Sequence, residues 1–281
     1  MAHPSRSTPD RGQRARHDVA RRRIRGMTRA VRLALATAAG LLAGPPAGLD
    51  GQTRSAGDRA DSSITAQTDR IFAHFDRTDS PGCALGVFRD GHVAYARGYG
   101  MANLELGVAL SPQSVLDIGS TSKQFTAMSV VLLARQGKLS LDDDVRKHIP
   151  ELPAYEKRVT VRHLLTHTSG LRDYLTLWYL AGIDDADFTT DDEALEIITR
   201  QKVLNFLPGE QYLYSNSGFF LASVLVERVS GKSLARFAEE NIFRPLGMRH
   251  TRFANDHTAI VPGRATGYAR RDSGGFSISM S

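Results

Sequence analysis

The sequence predicts an α+β fold, in which one β-hairpin precedes a mostly helical body. Three observations carry this. Two strand-like runs, Cys83 to Phe88 and His92 to Tyr99, flank Arg89-Asp90-Gly91. Asp-Gly between such runs marks a tight hairpin, because glycine accepts the positive φ that the turn demands. Phe125 to Leu133 is apolar almost all round and stops at Gly137, the pattern of a buried helix rather than an amphipathic one. Capped helical segments then fill the second half of the chain, with no internal repeat.

In chain order, residues 1–52 read as a basic leader with a signal peptide. Residues 1–32 hold ten arginines and no lysine, and Leu33 to Gly44 follow as an apolar run ending at Pro45-Pro46. A membrane span needs roughly 20 apolar residues, so this run is too short to cross, and no transmembrane anchor is expected. A basic head, a short apolar middle and a small-residue exit describe a secretory signal, with Met27 as an alternative start. The chain is therefore expected to be exported, to the periplasm or outside the cell. Arg21-Arg22-Arg23 leaves a twin-arginine signal as one alternative, and a disordered polyanion-binding arm is another.

Residues 51–64 read as a linker, and Ile71 to Phe75 as the apolar face of a short helix. After the hairpin and the buried helix, Thr160 to Thr166 form a short helix, and Thr190 with Glu193 makes a capping box opening a helix to about Arg200. Phe219 to Val229 is helical up to Gly231, and Leu234 to Phe243 is helical up to Pro245.

Composition limits the functions. The chain has 281 residues, 41% hydrophobic and 23% charged, which excludes fibrous and wholly disordered proteins. Residues 1–60 hold 12 of the 36 Lys and Arg but only 4 of the 30 Asp and Glu. The rest is nearly neutral, so no nucleic acid partner is expected. A single cysteine, Cys83, excludes an internal disulfide framework and a multi-cysteine metal site; in its apolar run it reads as a small buried hydrophobe.

The candidate chemistry begins at Ser120-x-x-Lys123, at the opening of the buried helix. A spacing of three places both side chains on one helix face. A serine hydroxyl becomes a nucleophile when a neighbouring base takes its proton, and lysine serves as that base only where burial or charge lowers its pKa. The free N–H groups of the helix N-terminus, that of Ser120 included, suit a developing oxyanion. With 22 Ser and 6 Lys in 281 residues, about 0.5 such matches arise by chance, so the pair alone is weak. Tyr214-Ser215-Asn216 adds weight, since 8 Tyr and 5 Asn give about 0.14 chance matches to Tyr-x-Asn. A phenol beside an ammonium can share proton transfer, and Asn216 can both donate to and accept from a substrate amide.

These residues, with Pro81-Gly82-Cys83-Ala84, Gly137-Lys-Leu-Ser-Leu-Asp-Asp143, His163-Leu-Leu-Thr-His-Thr-Ser-Gly-Leu171, Pro208 to Gly218 and Pro245-Leu-Gly-Met248, give the sequence a resemblance. From about Ile71 to Tyr268 it resembles the serine β-lactamase and penicillin-binding protein superfamily, on the branch of class C enzymes, D-amino-acid peptidases and related esterases. The resemblance implies an α/β sandwich plus a helical region over residues 53–281. It implies a serine hydrolase with Ser120 as the acylated nucleophile, Lys123 as its proton acceptor, Tyr214 activating water or the leaving group, and Asn216 as a substrate contact. It implies neither metal nor organic cofactor. The substrate would be a small molecule or peptide: a β-lactam, a D-amino-acid peptide or a small ester. Oligomeric state is left open.

One departure matters. The superfamily's third element, Lys-Thr-Gly or His-x-Gly, is absent after Tyr214. Relatives continue past the equivalent of Ser281 into further strands and a closing helix, so the chain is expected to be a truncated member whose hairpin has an uncovered edge. The alternative to turnover is then a non-hydrolytic binder, or a fragment with no stable function. His163 and His167, four apart, lack the Glu and third ligand of a zinc site and read as a structural pair. The acidic run Asp184 to Glu196 reads as a solvated face and loop.

Overall fold

The structure, a computed structural model, describes residues 56–183, 187, 189–254, 256 and 258–279. The leader of residues 1–52 lies outside them, as do positions 184–186 and 188 of the acidic run. In chain order the elements are α1 (Ala56–Phe72), β1 (Cys83–Arg89), β2 (His92–Tyr99), β3 (Met101–Asn103), β4 (Val108–Ala109), α2 (Lys123–Arg135) and α3 (Val161–Leu165). They continue through α4 (Tyr174–Leu180), α5 (Asp191–Thr199), α6 (Asn216–Ser230), α7 (Leu234–Ala238), β5 (Tyr268–Arg270) and β6 (Phe276–Ile278). The fold is the mixed α+β arrangement that the sequence predicts.

The expected hairpin forms: β1 and β2 pair antiparallel, with Cys83 opposite Tyr99 and Arg89 opposite His92. Asp90 and Gly91 have φ of 52° and 77°, the two positive angles of a two-residue turn that matches strand twist. A bulge lies between Val87 and Phe88. The described strands make three separate two-stranded ribbons, β1-β2, β3-β4 and β5-β6. Cys83 is half-buried rather than buried, and burial pushes its thiol pKa up, away from reactivity.

The predicted linker is a correction. Residues from Ala56 onward are helical, and α1 runs into a 3₁₀ turn at Ala73–Phe75. What holds α1 is its last turns. Phe72 stacks on Tyr99 at 5.2 Å between ring centres, and Asp69 accepts from the hydroxyls of Tyr95 and Tyr99 at 2.5 and 2.8 Å. Arg97 completes the anchor, pairing with Asp69 and Asp76 at 2.7 Å each. Tertiary contacts at one end outweigh the linker-like composition of the other.

The apolar core lies among the helices. Val130 and Leu133 of α2, Leu164 of α3, Ile198 of α5, and Leu221 and Leu225 of α6 are all essentially inaccessible. Each such side chain contributes about 1.5–3 kcal/mol. The prediction of a helix buried all round fails for α2. It buries Thr126, Ser129, Val130 and Leu133, while Met128 is 48% exposed and Val131 is also open. That i, i+3, i+4, i+7 spacing is one face, the face that packs on α6 and α7. Apolar residues on the other side do not bury themselves without an element to cover them.

The remaining helices follow their caps. Thr160 and Thr190 each close a capping box, with His163 and Glu193 respectively. The acidic first turn of α5, Asp191 to Glu193, is solvent-exposed. Gly231 ends α6 at φ 70°, in the left-handed region. Residues 239–243 continue α7 as a π turn up to Arg244. The segment after it comes back to the residues before the Ser120 turn: Val115 donates to Gly263 at 2.9 Å and Ala265 to Val115 at 2.8 Å, while Thr266 donates to Ala102 of β3 at 2.9 Å. The two bonds at Val115, an isolated bridge with Arg264, fix the extended segment that leads into the Ser120 turn.

Candidate active site

Ser120 sits in a 3₁₀ turn, Gly119–Ser122, immediately before α2. Local chemistry builds the turn. The Asp117 carboxylate accepts the Gly119 N–H at 2.8 Å, Thr121 donates to the Ile118 carbonyl at 3.1 Å, and Gly119 takes φ 49°. Lys123 then opens α2. Its ammonium donates to Ser120 Oγ at 2.8 Å and to Asn216 Oδ1 at 3.0 Å, and lies 5.1 and 5.8 Å from the ring centres of Tyr214 and Phe219. The Tyr214 hydroxyl also donates to Ser120 Oγ, at 2.8 Å. All four residues singled out in the sequence thus meet in one place. Ser120 is exposed and Tyr214 is 43% exposed, so the group opens to solvent.

The phenol of Tyr214 is tuned by opposing effects. Burial pushes its pKa up, but hydrogen bonds with Lys123 and Ser120 and the ammonium charge leave it below the ordinary tyrosine value. A nearby cation is what a phenolate needs.

Asn216 is held by its helix. It is the first residue of α6, and its backbone N–H donates to the Asp173 carboxylate, which also caps α4 by accepting from Thr176 at 3.2 Å. Ser217 donates to the Arg172 carbonyl at 2.7 Å and accepts the Tyr174 N–H at 2.9 Å. The starts of α4 and α6 are therefore laced together. Gly218 lets α6 lie against α3, since a β-carbon there would stand 2.9 Å from the Leu164 carbonyl oxygen.

Sequence reasoning missed Asp173, Phe219 and His167. Asp173 carries a capping spacing to Thr176 that was available. His163 and His167 do separate things: His163 Nδ1 accepts from Thr160 N at 3.3 Å, whereas His167 Nδ1 accepts from Ser215 N at 3.1 Å. The His167 ring also lies 4.5 Å from that of Tyr214. In the sequence it stood out only as half of the four-apart pair with His163 and as a member of the His163–Leu171 block, and neither pointed to Tyr214.

The chain is similar to known proteins in both sequence and fold. A family model described as Beta-lactamase matches residues 68–278. D-aminopeptidase from Brucella anthropi is 36% identical over 197 residues, covering 70% of this chain and 37% of that protein. Penicillin-binding protein 4* from Bacillus subtilis is 34% identical over 180 residues, covering 64% of this chain and 39% of that one. The octameric penicillin-binding protein homologue from Pyrococcus abyssi superposes with a TM-score of 0.64 at 28% identity, over 78% of this chain and half of its own. The chain thus spans under two-fifths of the curated relatives it matches. With the matched model running over most of its length, the chain belongs to the Beta-lactamase family, within the serine β-lactamase and penicillin-binding protein superfamily.

Proposed function

We propose that the chain acts as a serine hydrolase, cleaving an amide or ester through an acyl-enzyme on Ser120. One observation carries the reading: Ser120 Oγ is bridged between the Lys123 ammonium and the Tyr214 hydroxyl, at 2.8 Å from each. For the attack the Lys123–Tyr214 pair carries one proton fewer, as a Tyr214 phenolate stabilised by the Lys123 ammonium, and as Ser120 Oγ attacks the substrate carbonyl its proton passes to that phenolate. The pair returns that proton to the leaving nitrogen or oxygen as the acyl bond breaks. Water then attacks the acyl-enzyme, giving a proton to the same pair, and Ser120 recovers it on release. Asn216 accepts from Lys123 through Oδ1, which turns its NH₂ toward a substrate carbonyl. The names of the relatives, D-aminopeptidase and penicillin-binding protein, support a D-amino-acid peptide or a β-lactam as substrate, with a small ester as the third class.

A second reading is a non-hydrolytic binder that keeps the substrate groove but does not turn over; slow release of an acyl group from Ser120 would be its mark. The basic head and apolar run of residues 1–44 support export of the chain to its substrate. The test is the intact mass of the protein after incubation with a penicillin and, separately, a fluorophosphonate. A single adduct that Ser120→Ala abolishes supports the acyl-enzyme; a persistent penicillin adduct supports the binder. A folded protein that takes up neither reagent refutes both.

A further inference from the structure

We propose that His167 is a positioning residue for Tyr214, a clamp that holds the phenol over Ser120 while the imidazole is neutral. The proposal rests on the acyl-enzyme reading above for its consequence, though not for its geometry. Residues 211–215 have no helix or strand of their own, yet Tyr214 must reach Ser120 to 2.8 Å. His167 grips both neighbours of that tyrosine. Its backbone carbonyl accepts the Leu213 N–H at 2.9 Å, and its ring Nδ1 accepts the Ser215 N–H at 3.1 Å. Its ring then lies along Tyr214 with the planes 31° apart, and is flanked by Phe219 at 5.2 Å and Tyr212 at 5.8 Å.

The backbone of His167 points to the same role. Its φ is 56°, in the left-handed region that a residue with a β-carbon enters only against strain. A plain turn there is better served by glycine or asparagine. Histidine in that conformation turns its carbonyl and its ring toward one segment, three residues long, centred on Tyr214.

The clamp has a definite protonation state. Nδ1 accepts only when it carries no proton, so the ring proton sits on Nε2. A second proton removes the acceptor and places a new cation beside Lys123. The groups around the imidazole are the Lys123 ammonium from α2, the phenols of Tyr212 and Tyr214, and the Phe219 ring from α6; Asp173, at the start of α4, acts on Tyr214. Burial first, and the Lys123 charge second, hold the imidazole below its ordinary pKa. The clamp is therefore intact at neutral pH and released as pH falls through that lowered value.

The test follows fluorophosphonate labelling of Ser120 against pH, by intact mass, for the full chain and two variants. His167→Asn keeps an acceptor near Nδ1, tolerates the left-handed backbone and does not titrate. His167→Phe keeps a ring and loses the acceptor. The wild type is expected to lose labelling about tenfold per pH unit below the imidazole pKa, while His167→Asn stays within about tenfold of wild type at pH 7 and lacks that limb. His167→Phe is expected to label at least about tenfold more slowly, because a misplaced partner of the nucleophile is costly. Side-chain ¹⁵N spectra should show unprotonated Nδ1 in His167 at pH 7, and the ultraviolet titration of Tyr214 should move upward in His167→Phe.

Wild-type labelling in His167→Phe, an unchanged acid limb in His167→Asn, or a proton on Nδ1 overturns the proposal. If the wild type takes no label at any pH, the acyl-enzyme reading fails, and the spectra and tyrosine titration still decide the clamp. If His167→Phe does not fold, the asparagine variant and the ¹⁵N spectra suffice.

Discussion

The helical region and the β1-β2 hairpin are built from similarly apolar sequence, and they meet opposite fates. Around α2, α3 and α6, side chains such as Val130, Leu164 and Leu221 are sealed completely. On the hairpin, Phe88 is 72% and Val93 is 60% exposed, and the polar anchors of the ribbon lie toward its base, where Tyr95, Arg97 and Tyr99 meet Asp69. Burial is thus a property of two surfaces and not of one residue. Ser120, Lys123, Tyr214 and Asn216 all lie on the helical side: Ser120 in the turn before α2, Lys123 at the start of α2 and Asn216 at the start of α6. The geometry of the site therefore depends on helix packing and owes little to the β1-β2 hairpin.

The strongest way to break that contrast is to cut into the helical core. Leu164→Ala removes a fully buried side chain from α3 and is expected to cost about 2–5 kcal/mol, read as a lower urea midpoint. A cost below 1 kcal/mol would place the core elsewhere. Gly218→Ala probes the same interface by crowding. Its β-carbon meets the Leu164 carbonyl oxygen at 2.9 Å, so α6 must shift, at a cost of about 1–3 kcal/mol. Because Asn216 rides on that helix, labelling of Ser120 should slow as well. Unchanged labelling would show that the start of α6 is held by Asp173 alone.

A smaller effect separates the two regions by pH. The Asp143 carboxyl, which accepts from Ser140 N at 2.9 Å, is held down at about 2, chiefly by that backbone bond and then by His148 and Lys147, against the upward push of burial. In the unfolded chain an aspartate titrates near ~3.9. A depressed folded pKa means that Asp143 stabilises the helical region above about pH 4, and that this contribution disappears as pH falls toward 2. Asp143→Asn should lower stability at pH 7 and flatten the acid limb of the urea midpoint between about pH 4 and pH 2. An acid limb identical to wild type would assign it to other carboxylates.

Legibility followed the same division. The hairpin turn, the capping boxes at Thr160 and Thr190, and the stop at Gly231 could be read in advance, because each is decided by two to four adjacent residues. The pairing of Ser120 with Lys123 was legible for the same reason, and Tyr214-x-Asn216 through its rarity and the family resemblance. What escaped was set by distant partners. Residues 56–64 look like linker, yet they belong to a helix anchored by Asp69 and Phe72 on β2. The outer face of α2 reads as core, and no described element covers Met128. His167 and Asp173 acquire their contacts to residues 213–216 only on folding, across more than 40 positions of sequence.

The least disruptive change is also the sharpest test of the contrast. Phe88 stands opposite Val93 in the ladder, and its ring lies over Gly86, within 3.2 Å of where a β-carbon would be. Little else covers it, so Phe88→Ser should forfeit only a cross-strand pair, about 0.2–1 kcal/mol. The same change removes an exposed aromatic from an open strand edge, and the soluble yield should rise. Measured beside Leu164→Ala under identical conditions, the hairpin variant should lie closer to wild type in urea midpoint. If Phe88→Ser instead costs as much as the core variant, the aromatic is buried in solution. The hairpin would then have a partner surface, and its exposure would be a property of the isolated chain rather than of the working molecule.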